Sequence, residues 1–171
     1  MAQFIHLADQ RKISLIRKNG ILAAKIYHLD RKGVYATPVL QDHYRSHQWL
    51  RELKRVGIKT ITAVQFKVGD SVLVSVGRFN KEHIEVTASE AVKIFMEHES
   101  GLGLEVIFPE SIPAKAIQRV YTPKQVAGWR YYPEAHADDR KPCGCRYCQR
   151  GQINNRRLRE EFEKESNQLD S

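Results

Sequence analysis

The chain lacks cysteine over its first 142 residues, lacks internal repeats, and lacks any apolar run long enough to cross a bilayer, which takes about 20 residues. A membrane-spanning helix is therefore excluded as an expectation. The opening MAQFIHLADQRK carries an apolar patch but neither a basic leader nor a long hydrophobic stretch, so no secretory signal is expected and the protein reads as cytosolic, or cytoplasmic. The three cysteines, all between Cys143 and Cys148, are an odd, tight set that cannot make a disulfide framework. Acidic residues are missing between Arg140 and Arg159, where seven Lys or Arg stand unopposed.

What is present describes a globular chain. With 171 residues, 42% hydrophobic and 28% charged, it can bury one ordinary core and carry an appendage. The net charge of +8 favours a polyanionic partner, nucleic acid ahead of a membrane surface.

Phe4 to Leu7 reads as a strand that stops at Asp9, a good helix cap, and DQRKISLIRKNGI reads as a helix with Ile13, Leu15 and Ile16 inward and Gly20 as its stop. GVYATP (33–38) is a second strand. From 42 to 56, Trp49, Leu50, Leu53 and Val56 recur at helical spacing. KTITAVQFKV and SVLVSVGRF flank Gly69-Asp70, a hairpin signal. TASEAVKIFMEHES is a helix capped at Thr87 or Ser89, burying Ala91, Val92, Phe95 and Met96. GLGLEVIFP (101–109) and AKAIQRVYT supply two more strands. The expectation is an α+β domain over 1–122, a linker and Cys-rich extension over 123–151, and a charged helix or tail over 152–171.

Glu105 sits at the mouth of GLGLEVIFP, which otherwise reads as a buried strand. An unpartnered carboxylate taken out of water costs several kcal/mol or neutralises itself, so this one is expected to be exposed, paired or employed in chemistry. His6 in the first strand and Tyr35 in the second are the other candidates, each equally readable as a structural residue.

The order of these pieces, FIHLADQRKISLIRKNGI, GVYATP and GLEVIFPESIPAKAI, resembles the ADP-ribosyltransferase fold, and the last piece resembles the DarT-type DNA ADP-ribosyltransferases. The resemblance covers about 120 residues. It implies a split β-sheet core and NAD as the substrate. Glu105 would stabilise the positive charge that develops at the ribose C1′ as nicotinamide leaves, His6 would hydrogen-bond the adenosine ribose, and Tyr35 would stack on the nicotinamide. The loop from Glu99 to Leu104 would face the acceptor as a mobile lid. The three side chains are expected in one pocket, with the Glu105 carboxylate facing open space rather than a salt bridge. The DarT-type enzymes carry an arginine soon after the second strand, where this chain has Pro38-Val39-Leu40-Gln41; Arg45 is the best substitute and Arg78 the second. A toxin or defence role, with an antitoxin or regulatory partner, goes with the resemblance.

In HADDRKPCGCRYCQRG, Cys143, Cys145 and Cys148 are spaced to hold one soft cation, and His136 is the expected fourth ligand of a structural zinc. Asp138 and Asp139 are fallback ligands, and an iron–sulfur cluster is the alternative metal group. Arginines around this knob suit phosphate contacts. Two other readings stay open: an RNA 2′-phosphotransferase of the same fold, and a zinc-stabilised nucleic-acid-binding protein without catalysis.

Overall fold

The structure, a computed structural model, describes residues 1–26, 31–55, 57–79, 81–98 and 101–125. The expected metal ligands Cys143, Cys145, Cys148 and His136, and the expected C-terminal helix, lie outside the described residues.

The architecture is α+β, an eight-stranded sheet with few helices. Strand β1 (Ala2–Asp9) leads through a 3-10 turn into helix α1 (Ile13–Asn19), where Asp9 caps the turn by accepting from the Arg11 backbone N–H. Gly20 ends α1 at φ 82°, and a Cβ there would lie 2.1 Å from the Ile112 carbonyl, so only glycine fits both the conformation and the space. Next come β2 (Ala24–Ile26), β3 (Arg31–Pro38), α2 (His43–Ser46) and α3 (Leu50–Arg55). Then follow β4 (Ile61–Val68), β5 (Leu73–Arg78), β6 (His83–Thr87), α4 (Ala88–Glu97), β7 (Leu104–Phe108) and β8 (Ile117–Tyr121). The strand order is β6-β5-β7-β3-β1-β4-β8, with β2 added on β3, and every pairing is antiparallel.

Gly69-Asp70 does not make the expected hairpin. β4 pairs with β1 and β8, and β5 pairs with β6 and β7. In a flat sheet the four inter-strand steps from β4 to β5 would span about 19 Å. The five residue steps from Val68 to Leu73 cover only about 17 Å fully extended. The sheet must therefore curl, and the short link is a consequence of the curl rather than of pairing.

One sheet face holds the main core. Phe4, Phe66 and Phe108 meet with ring centroids 5.0–6.0 Å apart, joined by Val34, Val76, Val106 and, from α1 and α4, Ile16, Ala91 and Phe95. Each buried aromatic of this kind contributes about 1.5–3 kcal/mol. α4 starts with a capping box in which the Thr87 hydroxyl accepts from the Glu90 N–H and the Glu90 carboxylate accepts from the Thr87 N–H. Leu15 and Met96, expected inward, are both more than half exposed because α1 and α4 bury only narrow stripes. The single helix expected over 42–56 is two short ones, α2 and α3, with Asp42 capping the first.

Candidate active site

β1 and β3 are paired only at Phe4–Pro38 and Ile5–Thr37, after which their ladder stops. The Tyr35 carbonyl accepts instead from His6 Nδ1 at 2.8 Å. A carbonyl can only accept, so Nδ1 carries the hydrogen and Nε2 keeps its lone pair. Burial pushes the imidazole below its ordinary value, which keeps it neutral.

A cavity of about 270 Å³ opens beside the sheet. His6, Tyr35 and Glu105 all line it, from β1, β3 and β7, so the three residues singled out in the sequence share one site. Trp49, Glu52 and Leu53 line it from the α2–α3 segment, and Phe79 lies 5.6 Å from the Trp49 ring. The Tyr35 phenol is pushed up by burial first and by the Glu105 charge second, with Arg31 opposing, so it stays a neutral hydroxyl.

The Glu105 carboxyl does not face open space alone. It is buried, and its Oε1 stands 3.1 Å from His83 Nε2, with both side chains 4% exposed. Burial raises Glu105 to about 8, while the Arg31 charge pulls the other way. Burial thus favours the protonated form of the pair to higher pH than for an ordinary carboxyl group, and rising pH favours the carboxylate.

Arg45 does not reach the cavity. Its guanidinium donates to the carbonyls of Phe95 and His98, the latter at 3.1 Å, closing the C-terminal end of α4. Arg78 donates to the Leu102 carbonyl at 3.0 Å and is likewise spent on the scaffold. The cation that acts on Glu105 and Tyr35 is Arg31, at the start of β3 rather than after it, and its Nε is buried without a hydrogen-bond partner among the described residues. Sequence spacing missed it because Arg31 precedes the GVY run; its parity with Tyr35 along β3 was the available signal. His83 was missed for a different reason, since it belongs to a strand not adjacent to β7.

The segment 101–104 is a clamp rather than a lid. Gln48, fully buried, donates to the Gly101 carbonyl at 3.1 Å and accepts from the Gly103 N–H at 2.6 Å. The Phe79 N–H reaches the Gly103 carbonyl, and the Trp49 indole N–H reaches that of Leu104. Gly101 and Gly103 have φ of 57° and 80°, which lets the backbone turn under Gln48. The position of Glu105 is thus fixed from the residue before it.

Among the described residues no group of three His, Cys, Asp or Glu side chains is placed to hold a metal, and no helix is long and apolar enough to cross a membrane. No family model, curated protein or solved structure matched the chain.

Proposed function

We propose that the chain is an NAD-dependent ADP-ribosyltransferase with a nucleic-acid acceptor, DNA ahead of RNA. The observation that carries this reading is the convergence of His6, Tyr35 and Glu105 on one cavity. The cavity lies near the small end of the usual ligand range, about 300–1,000 Å³, which suits the nicotinamide riboside half of NAD with the remainder outside. The residues fit that occupant. Tyr35 and Trp49 offer aromatic faces to the nicotinamide, and the His6 Nε2 lone pair is available to accept from the adenosine ribose where the remainder of NAD leaves the cavity.

In the reaction the C1′–N bond breaks, its electron pair leaves with nicotinamide, and positive charge develops on the ribose. Glu105 as carboxylate stabilises that charge; the acceptor atom then bonds C1′ and gives its proton to solvent or to a neighbouring base. Support for a polyanionic acceptor comes from the net charge of +8 and the acid-free run from Arg140 to Arg159.

Incubation with labelled NAD and separate DNA, RNA and protein acceptors is the direct test. Label is expected on DNA, and nicotinamide release with none of the acceptors refutes the assignment. Glu105→Gln should lower turnover by at least about 100-fold while NAD affinity holds, because the charge it meets exists only in the transition state. His6→Ala should chiefly weaken NAD binding. Identical binding losses in the two variants would contradict these roles.

A further inference from the structure

His83 is on β6, the edge strand, and Glu105 is on β7, with β5 between them. Gly77 of β5 is in register with both, opposite His83 on one side and Glu105 on the other. The three residues therefore form one row across the sheet and share a face. Gly77 does not have the positive φ that would demand glycine. What it supplies is space: a Cβ at 77 would lie 2.6 Å from the Glu82 carbonyl oxygen, 2.7 Å from His83 Cγ and 2.9 Å from Cδ2, closer than real Cβ atoms come. Because that side chain is missing, the imidazole lies over β5 and spans two strand spacings to reach the carboxyl group.

His83 Nδ1 is 2.9 Å from the Lys81 carbonyl and so must carry a hydrogen. Nε2, 3.1 Å from Glu105 Oε1, then has room for one proton between it and the oxygen. That proton sits either on the carboxyl group, donating to Nε2, or on Nε2, donating to the carboxylate. We propose that His83 is the positioning residue for Glu105: through this one shared proton it holds Oε1 in a fixed orientation and sets the pH at which the cavity gains a carboxylate.

Among the described residues, the groups facing Glu105 from the surrounding elements are these. Arg31 of β3 carries a fixed charge that favours the carboxylate. Tyr35 of β3 and His6 of β1 are kept neutral by burial. Glu52 of α3 lines the same cavity, Gly77 of β5 has nothing to titrate, and α4 supplies no ionisable group to that lining. The functional meaning of the pair rests on Glu105 being the charge-stabilising group proposed above, but its existence does not.

Two measurements on the full chain separate the two ideas. Isotope-edited NMR of the His83 ring nitrogens and the Glu105 carboxyl carbon, from pH 5 to 10, reads the pair without any substrate. Both signals are expected to follow the same steps, and the Glu105→Gln variant should move the His83 transition by about one pH unit or more, a tenfold change in proton affinity. Independent titration of the two groups overturns the proposal whether or not NAD is cleaved. The pH profile of NAD cleavage is the second readout. His83→Gln, which retains a hydrogen-bond donor but no titrating nitrogen, should shift the kcat profile by at least about one unit while KM for NAD changes little. Gly77→Ala should also shift the profile, by pressing on the imidazole and on the Glu82 backbone beside it; His83→Gln answers the question if that variant does not fold. A kcat profile unchanged in His83→Gln refutes the positioning role. Absence of NAD cleavage in the unaltered chain counts against the proposed function alone, leaving the NMR result to decide the pair.

Discussion

Glu105 is the residue at which burial and chemistry compete most openly. Its carboxyl group titrates near 8 in the folded protein and near 4.5 when ordinary, so between those values the folded state holds a proton that the unfolded state has lost. Stability from this group is full below about pH 4.5, falls as pH rises, and stops falling once pH exceeds the folded value. The slope is at most about 1.4 kcal/mol per pH unit. Glu105→Gln is expected to remove it, so denaturant unfolding at pH 5 and pH 8 should show a larger drop for the unaltered chain than for the variant. Equal drops would mean that the carboxyl is not desolvated. That a carboxylate in an apolar strand needed an explanation was legible from GLGLEVIFP alone. Its partner was not, because His83 lies 22 residues away and reaches it across an intervening strand, a relation that no local spacing encodes. Arg45 shows the converse error: a basic residue near the expected position was spent on helix carbonyls.

Among the elements, the short α2–α3 segment does more than its length indicates. Gln48 within it satisfies two backbone groups of the turn ahead of β7, and Trp49 satisfies a third. His47, buried beside it, donates from Nδ1 to the His43 carbonyl and accepts from the Tyr121 hydroxyl at 2.7 Å, which ties the segment to β8. Gln48→Leu would leave a buried N–H and a buried carbonyl unpaired, at about 1–3 kcal/mol each. Chemical denaturation should show a loss of about 2–6 kcal/mol, and hydrogen exchange at Gly103 should accelerate. Full retention of protection at Gly103 would assign the clamp to Phe79 and Trp49 instead. Element boundaries were legible where a cap announced them, at Asp9, Gly20 and Thr87. Strand neighbours were not, since Gly69-Asp70 has hairpin composition but the curled sheet sends its two strands to different partners.

For the molecule as a whole, the described fold ends by returning to its interior. Gln125 donates to the Ile61 carbonyl at 2.9 Å and accepts from the Ile61 N–H at 3.1 Å, pinning the chain to the start of β4. The proposed zinc ligands Cys143, Cys145, Cys148 and His136 follow that point in sequence. Elemental analysis of reduced protein is expected to give one zinc per chain, and chelation should leave thermal unfolding of the 1–122 portion unchanged, because none of its core residues is a proposed ligand. Protein free of stoichiometric metal would exclude the site. Chelation that lowered the main transition would show that the extension supports the domain.

The centre of the sheet carries a further consequence for how the chain reaches its structure. β1 lies between β3 and β4, so its hydrogen-bonding edges are completed only by residues that follow it, the last pairing being Ala2 with Val68. Until residue 66 has left the ribosome, FIHLA is an apolar strand with at least one bare edge, the kind of template on which chains associate. Folding of this protein is therefore gated by chain length: its earliest-made strand waits for β4 to be made, and the interval between is when a chaperone would have work to do.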